Sequence, residues 1–279
     1  MFTDEVAMSV WHQKDKTFYS GFHGPFGGLY SEKNINTHLT SENIKNLLSC
    51  LRLKSEKTDQ DIDIKIRLFP ERIFPNWADR QLGALTTSGF HVDFSDTAHY
   101  IMLDRKWRDA WNRNRLRDFK KSVERICGLQ IKTNEEILEF YDVITKNADY
   151  KNRRFSLSLE DFKRMSSVLS GNDLNLWIYK STITGDNVAA AICQIVDHRV
   201  VYVFRWGHVY NYKDYGLENS PMTFVADQLC QEYSDRGFKI LYLGTSSVEG
   251  VLDENLSHFK ESLGASRTTI ESMTLKSLH

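Results

Sequence analysis

From Ile62 to Leu68 apolar and polar residues alternate one by one, the period of a strand with a single buried face. Another period governs Leu159 to Leu169, where Leu159, Phe162, Met165 and Leu169 recur behind Ser158, which predicts an amphipathic helix with a serine cap. Read in this way, the first half of the chain predicts two strands in Val6–Tyr30 around the bend Gly24-Pro25-Phe26-Gly27-Gly28. A helix follows on Ile44, Leu47, Leu48 and Leu51, capped by Thr40 or Ser41. After the alternating strand come a helix from Trp77 to Ser88, stopped at Gly89, and a strand at Tyr100–Leu103. Trp107, Trp111, Leu116, Phe119, Val123 and Ile126 are spaced by three to five, which predicts one long helix from Arg105 to Cys127, ended by Gly128.

Beyond a further helix at Glu135–Ala148 and the one at Leu159, the period changes to two. Asn175–Ser181, Val188–Val196 and Val200–Trp206 predict an antiparallel meander, with bends at Thr184-Gly185-Asp186 and Asp197-His198-Arg199. Ser220-Pro221 opens a helix that runs to Arg236, with Gly237 just past its end. A strand at Ile240–Leu243, a polar loop at Thr245–Gly250, a helix at Glu254–Leu263 and a strand at Thr268–Leu275 complete the order. The predicted class is α/β. A helix that ends in Gly-Phe before a strand occurs twice, at Gly89-Phe90 and Gly237-Phe238, a weak echo of two similar halves.

Composition narrows the picture. With 279 residues, 41% of them apolar and 26% charged, the chain has an ordinary globular make-up. Thirty-six Lys and Arg against 37 Asp and Glu leave a net charge of −1, so any anion site is local and not a global field. Cys50, Cys127, Cys193 and Cys230 show no metal-ligand spacing; buried free thiols in a reducing cytoplasm are expected, and no metal. The start carries Asp4 and Glu5 in place of a basic, apolar leader. The apolar run Val188–Val196 is far short of the ~20 residues of a membrane span. A cytoplasmic protein without membrane insertion is therefore expected.

No GxSxG elbow, HExxH, Walker loop or GxGxxG after a strand is present. Four softer features remain. Between Asp104 and Arg125 nine Lys or Arg face four Asp or Glu, with Arg113, Arg117, Lys120 and Lys121 close together on a helix. Such a row holds phosphates by arginine forks or is simply a solvated face. Phe26, Gly27 and Gly28 either let the backbone approach a ligand or make a plain turn. Arg205 and His208 end the third meander strand, before a long loop and Ser220 at a helix start, where a carbonyl or anion can be received and His208 can act as a base. In "NLSHFKESLGA", Leu256, Phe259 and Leu263 make the buried stripe; Lys260 lies about 100° round from Phe259, at the border, either snorkelling to water, the default, or turned toward a site.

The stretches "HGPFGGLY", "RNRLRDFKKSVERICGLQI", "EEILEFYDVI", "FSLSLEDFKRMSSVL", "LWIYK", "VAAAICQIV", "SPMTFVADQLCQEYSDRGFKILYLGTSS" and "NLSHFKESLGA" stand in the order used by the Fem-like (FemAB-type) aminoacyl or peptidyl transferases, and the chain resembles that family over most of its second half. The resemblance implies two GNAT-like acyltransferase domains, residues 1–125 and 126–279, each a mixed, mostly antiparallel sheet flanked by helices. It implies Lys260 as the group that stabilises charge on the attacked carbonyl, Arg113 and Arg117 as holders of a phosphate-bearing acceptor, and a cell-envelope or sugar-type amine as that acceptor. The coiled-coil insertion of some members and the R/QxxGxG/A loop of ordinary GNAT enzymes are both missing, so acyl-CoA (acetyl-CoA) and aminoacyl-tRNA remain alternative co-substrates, with tRNA a possible partner. The proton of the amine goes to water or to the substrate itself, or to His208 or Glu249 as candidate bases. The competing readings are a simple acetyl-CoA N-acetyltransferase acting on a small amine and a non-catalytic protein that binds RNA or a nucleotide-sugar.

Overall fold

A computed structural model describes residues 7–8, 12–14, 17–20, 30–31, 49, 62–104, 106–131, 134–152, 155, 157–168 and 174–278. The bend Gly24–Gly28, with Phe26, Gly27 and Gly28, lies outside them, as do Cys50 and, save Ser49, the helix expected on Ile44–Leu51. In chain order the elements are β1 (Ala7–Met8), β2 (His12–Lys14), β3 (Thr17–Ser20), β4 (Tyr30–Ser31), β5 (Ile62–Arg67), α1 (Pro75–Thr87), β6 (His91–Met102), α2 (Arg113–Ser122), β7 (Ile126–Gln130), α3 (Asn134–Tyr150), α4 (Leu159–Val168), β8 (Leu174–Ser181), β9 (Asn187–Ile195), β10 (Val200–His208), α5 (Met222–Asp235), β11 (Ile240–Thr245), β12 (Ser247–Val248), β13 (Val251–Leu252), α6 (Glu254–Ser262) and β14 (Ser266–Leu278). Among the described residues no helix is long and apolar enough to cross a membrane.

The chain forms two compact units: Met1–Ala98 with Thr245–Glu254 and Arg267–His279, and His99–Gly244 with Asn255–Ser266. In the first, the strand order is β2-β3-β5-β14-β6, with β3 parallel to β5 and β14 antiparallel to it. The alternation read from the sequence is realised, because Ile64 and Ile66 point into a core completed by Phe18, Leu68, Leu85, Phe90 and Met273. On the opposite course of the strand Arg67 donates to the buried Asp96 at 2.7 Å. The same carboxylate accepts from Ser247 Oγ at 2.8 Å and from the Gly250 amide at 3.0 Å. These bonds hold a miniature hairpin of β12 and β13 where the sequence predicts a loop. Its two central residues, Glu249 and Gly250, both have positive φ, 51° and 80°, the conformation that a two-residue hairpin turn demands.

In the second unit the meander appears as expected: β8, β9 and β10 are successive antiparallel neighbours, β7 lies on β8, and β11 joins β10 in parallel. Helix α3 buries Ile137, Phe140, Val143 and Ile144, and Phe140 stacks on Phe162 of α4 at 5.4 Å. Cys193 and Cys230 are buried thiols, whereas Cys127 is exposed, against expectation; burial pushes the Cys193 thiol up to about 12.

The helix predicted over Arg105–Cys127 is instead three elements: a 3-10 turn at Trp107–Ala110, α2, and strand β7. The indoles decide this. Each needs a buried acceptor for its N–H, and Trp107 reaches Asp227 Oδ1 at 3.1 Å while Trp111 reaches the Leu263 carbonyl at 2.9 Å. Trp111 has extended ψ of 134°, so the helix restarts only at Arg113, capped by Asn112, whose side chain accepts from the Arg115 amide at 3.0 Å. Gly128 is a strand residue: a Cβ there would lie 2.8 Å from the Tyr179 ring, so glycine lets β7 close onto β8.

Candidate functional site

The site begins where two parallel strands part. Strands β10 and β11 are in register for three residues each, Val200–Tyr202 against Ile240–Tyr242. At the next turn of the ladder β10 bulges, since Val203 faces Cys193 and Arg205 faces Ile192 of β9 with Phe204 left between them. A bulge bends its strand and re-aims the residues beyond it. The Tyr202 ring packs into the space that a side chain at Gly244 would occupy, 3.2 Å from the position of a Cβ, and lies 5.0 Å from the Tyr242 ring. Gly244 has φ of +71°, a conformation open to glycine without a steric penalty.

Lys260 meets this strand end from below. Its side chain is 2% exposed, and Nζ donates to the Gly244 carbonyl at 2.9 Å. The default of a snorkelling lysine is thereby corrected. The inward face of α6 is not the apolar stripe of Leu256, Phe259 and Leu263; it carries Ser257, Lys260 and Leu263, while Leu256 and Phe259 are half-buried. Burying an ammonium costs several kcal/mol unless it is bonded, so the fold supplies acceptors. Beside it, His99, 0% exposed, brings Nε2 to 3.2 Å from Ser257 Oγ and 3.5 Å from Glu261 Oε1. Ser257 Oγ also donates to Glu261 at 3.3 Å. This polar seam was not foreseen; its signal in the sequence was serine, lysine and glutamate at i, i+3 and i+4 where the stripe ought to be apolar.

Phe259, next to Lys260, turns the other way. Its ring lies 5.9 Å from Trp206 on β10 and 5.2 Å from the Arg115 guanidinium, and Arg115 Nε bonds Ser262 Oγ at 2.7 Å. Thus α2, β10 and α6 are tied together around the FK pair. Gly264 admits a close approach of backbone to backbone: a Cβ there would lie 2.8 Å from the Trp107 carbonyl.

The structure places the remaining expected residues as follows. His208 ends β10 half-buried, with Nδ1 2.7 Å from the Val209 carbonyl and its ring edge-on to Tyr212 at 5.5 Å. Burial holds its pKa below the ordinary 6.5, with Lys151 adding to the effect and the Val209 bond opposing it. Since Nδ1 faces a carbonyl it carries the proton, which leaves Nε2 as a neutral acceptor. Arg205 sets its guanidinium 5.8 Å from the Phe155 ring centroid. Ser220 Oγ accepts weakly from the Met222 amide, at 3.4 Å, at the start of α5.

On α2, Arg113 and Arg117 lie one turn apart and exposed, Arg117 being 3.7 Å from Asp118, whereas Lys121 is engaged by Glu218 at 2.7 Å. Glu249 is an exposed turn residue of the first unit. Among the described residues no group of three or more His, Cys, Asp or Glu is gathered in the manner of metal ligands.

The backbone as a whole is of a known kind. It superposes on a crystal structure of FemX with a TM-score of 0.65 and 11% identity, over 96% of this chain and 84% of that one. For L-PGS from Bacillus licheniformis the values are 0.62 and 10%, over 94% and 79%, and for a tandem GNAT protein from the clavulanic acid biosynthesis pathway 0.55 and 9%, over 94% and 75%. The sequence matches no family profile, and no curated protein sequence is significantly similar to it. The protein therefore has a Fem-like fold of the GNAT type, a mixed and mostly antiparallel α/β architecture flanked by helices. At identities of this size the likeness is one of fold.

Proposed function

We propose that this protein is an acyltransferase, moving an acyl or aminoacyl group from an activated donor, acyl-CoA or aminoacyl-tRNA, to the amine of a cell-envelope or sugar-type acceptor. The observation that carries the reading is a buried cation at a parted strand: Lys260 Nζ, 2% exposed and 2.9 Å from the Gly244 carbonyl, at the end of a β11 that has left the β10 ladder. A positive charge fixed in a region of low dielectric stabilises negative charge on a reacting carbonyl far more than it would in water.

In this reading the acceptor amine forms the new C–N bond and the carbonyl oxygen takes up charge, stabilised by Lys260. Collapse then breaks the C–S bond of a thioester or the C–O bond of an aminoacyl ester. The proton released by the amine passes to His208 Nε2, which is neutral and unprotonated at pH 7, and on to the leaving thiolate or alkoxide. Arg205 and Ser220 line the end of β10 and the start of α5, and Arg113 and Arg117 meet phosphates by paired hydrogen bonds. The exposed, basic face of α2 also supports a second reading, a protein that binds RNA or a nucleotide-sugar without transfer. Steep salt dependence of RNA binding together with no product supports that alternative.

The experiment is to incubate the protein with acetyl-CoA or with charged tRNA and a panel of amines, and to weigh the products by mass spectrometry. An acceptor heavier by the acyl or aminoacyl group is expected with one donor. A folded protein that yields no such product with either donor overturns the reading.

A further inference from the structure

Tyr150 ends α3 and Tyr210 lies two residues beyond β10. Their rings stack at 3.7 Å between centroids and 20° between planes, yet both stay in water, 52% and 60% exposed. Stacked tyrosines in a core hide both faces of each ring; this pair leaves its outer faces open.

The pair is also held firmly. One turn before Tyr150, the buried Asn147 donates from Nδ2 to the His208 carbonyl at 2.8 Å, fastening α3 to the end of β10. The fit is so close that a Cβ at Gly207 would come within 2.5 Å of the Asn147 side chain. A hydrogen bond between the two tyrosine hydroxyls raises the Tyr150 pKa. Lys151 follows Tyr150 and Lys213 follows Tyr210 by three residues, both exposed, with the exposed Asp149 and Asp214 next to Tyr150 and Lys213. An open aromatic face beside lysines is the combination on which a nucleobase stacks while its phosphates are neutralised.

We infer that the Tyr150–Tyr210 stack is a ring-stacking subsite for the adenine of the donor, with Lys151 and Lys213 meeting its phosphates. The inference rests on the transfer reading, because both candidate donors share this chemistry: coenzyme A carries an adenosine phosphate, and a charged tRNA ends in adenosine. It adds to that reading a place for the donor's nucleotide, on the α3 side of the end of β10.

The test is calorimetric titration with two separate probes, coenzyme A and an RNA hairpin ending in single-stranded CCA, which tell the two sources apart. We expect one probe to bind the native protein. Tyr210→Ala, a change at an exposed position that leaves the protein folded at the titration temperature, then weakens binding about tenfold or more, the scale of one base–aromatic stack, and Tyr210→Phe, which keeps the ring, retains it. If the hairpin is the ligand, removal of its terminal adenosine reproduces the loss. Neither probe binding, or Tyr210→Ala binding as the native protein does, overturns the inference. Acyl transfer with an unchanged donor KM in Tyr210→Ala overturns the subsite and leaves the transfer reading standing. Tyrosine-dependent binding with no product from either donor supports the subsite and sinks the transfer reading.

Discussion

Replacing Lys260 by methionine separates a lysine that serves chemistry from one that only fills the core. Methionine keeps most of the unbranched side-chain volume, so the 2%-exposed site is not emptied. The variant loses the charged hydrogen bond to the Gly244 carbonyl, worth about 1.5–3 kcal/mol. It also removes the desolvation penalty of a buried ammonium, itself several kcal/mol, and apolar replacements of buried charges are on that account often neutral or stabilising. The two effects are similar in size and opposite in sign. Lys260→Met is therefore expected to unfold in urea within about 2 kcal/mol of the native protein, whereas Lys260→Ala adds a cavity and loses about 2–5 kcal/mol. Transfer behaves differently: a preorganised group acting on the developing oxyanion contributes about 100- to 1000-fold in rate. Urea unfolding followed by circular dichroism, with product formation followed by mass spectrometry, reads both quantities on one sample. A folded Lys260→Met variant that transfers at the native rate refutes the role given to the ammonium. A variant destabilised as deeply as Lys260→Ala shows that the stability argument has its signs wrong.

Three further outcomes follow from the geometry. Arg108 forks onto the fully buried Asp227, Nε to Oδ1 at 2.5 Å and Nη2 to Oδ2 at 2.6 Å; Arg108→Leu strands that carboxylate on Trp107 alone and is expected to cost about 3 kcal/mol in urea unfolding, the low end for a broken buried pair because Arg108 is partly solvated. An unchanged midpoint contradicts this. Gly264→Ala combines φ of +82° with a Cβ 2.8 Å from the Trp107 carbonyl and is expected to lose about 2–5 kcal/mol, against about 1–2 kcal/mol for Gly237→Ala, where φ is +90° but space is open; equal losses would show that the contact is irrelevant. His208 has its pKa lowered by burial. Above the ordinary value of 6.5 both folded and unfolded chains hold it neutral, and below that value the unfolded chain binds a proton that the folded chain resists, so stability falls as pH falls. Melting curves from pH 7.5 to 5 should show His208→Phe losing less than the native protein, and parallel curves would remove His208 as a cause.

The parts of the fold that were legible are those in which periodicity and punctuation agree. The meander over β8, β9 and β10 lay in its period of two and its Gly185 and Asp197 bends, and α5 lay in Pro221 and Gly237 at its two ends. The stretch from Arg105 to Cys127 misled because apolar residues three to five apart satisfy a helical pattern whether or not the chain is continuous helix. Trp107 and Trp111 break it for the sake of acceptors on Asp227 and Leu263, 120 and 152 residues later. The expected loop at Thr245–Gly250 became a hairpin for the same kind of reason, since the buried Asp96 that organises it lies 154 residues from Gly250.

The sequence by itself determined the α/β class, the order of most elements in the second half, and the choice of "NLSHFKESLGA" as the stretch to watch. Those are local properties, written in patterns a few residues long. Only the tertiary structure decided which way Lys260 points. A lysine next to a phenylalanine at the edge of a helical stripe is free, by pattern alone, to reach water. Here the Gly244 carbonyl receives it and His99, Ser257 and Glu261 make the same helix face polar, while Phe259 packs on Trp206 and Arg115. Whether a charge is buried depends on acceptors brought from distant parts of the chain, and no local period records them.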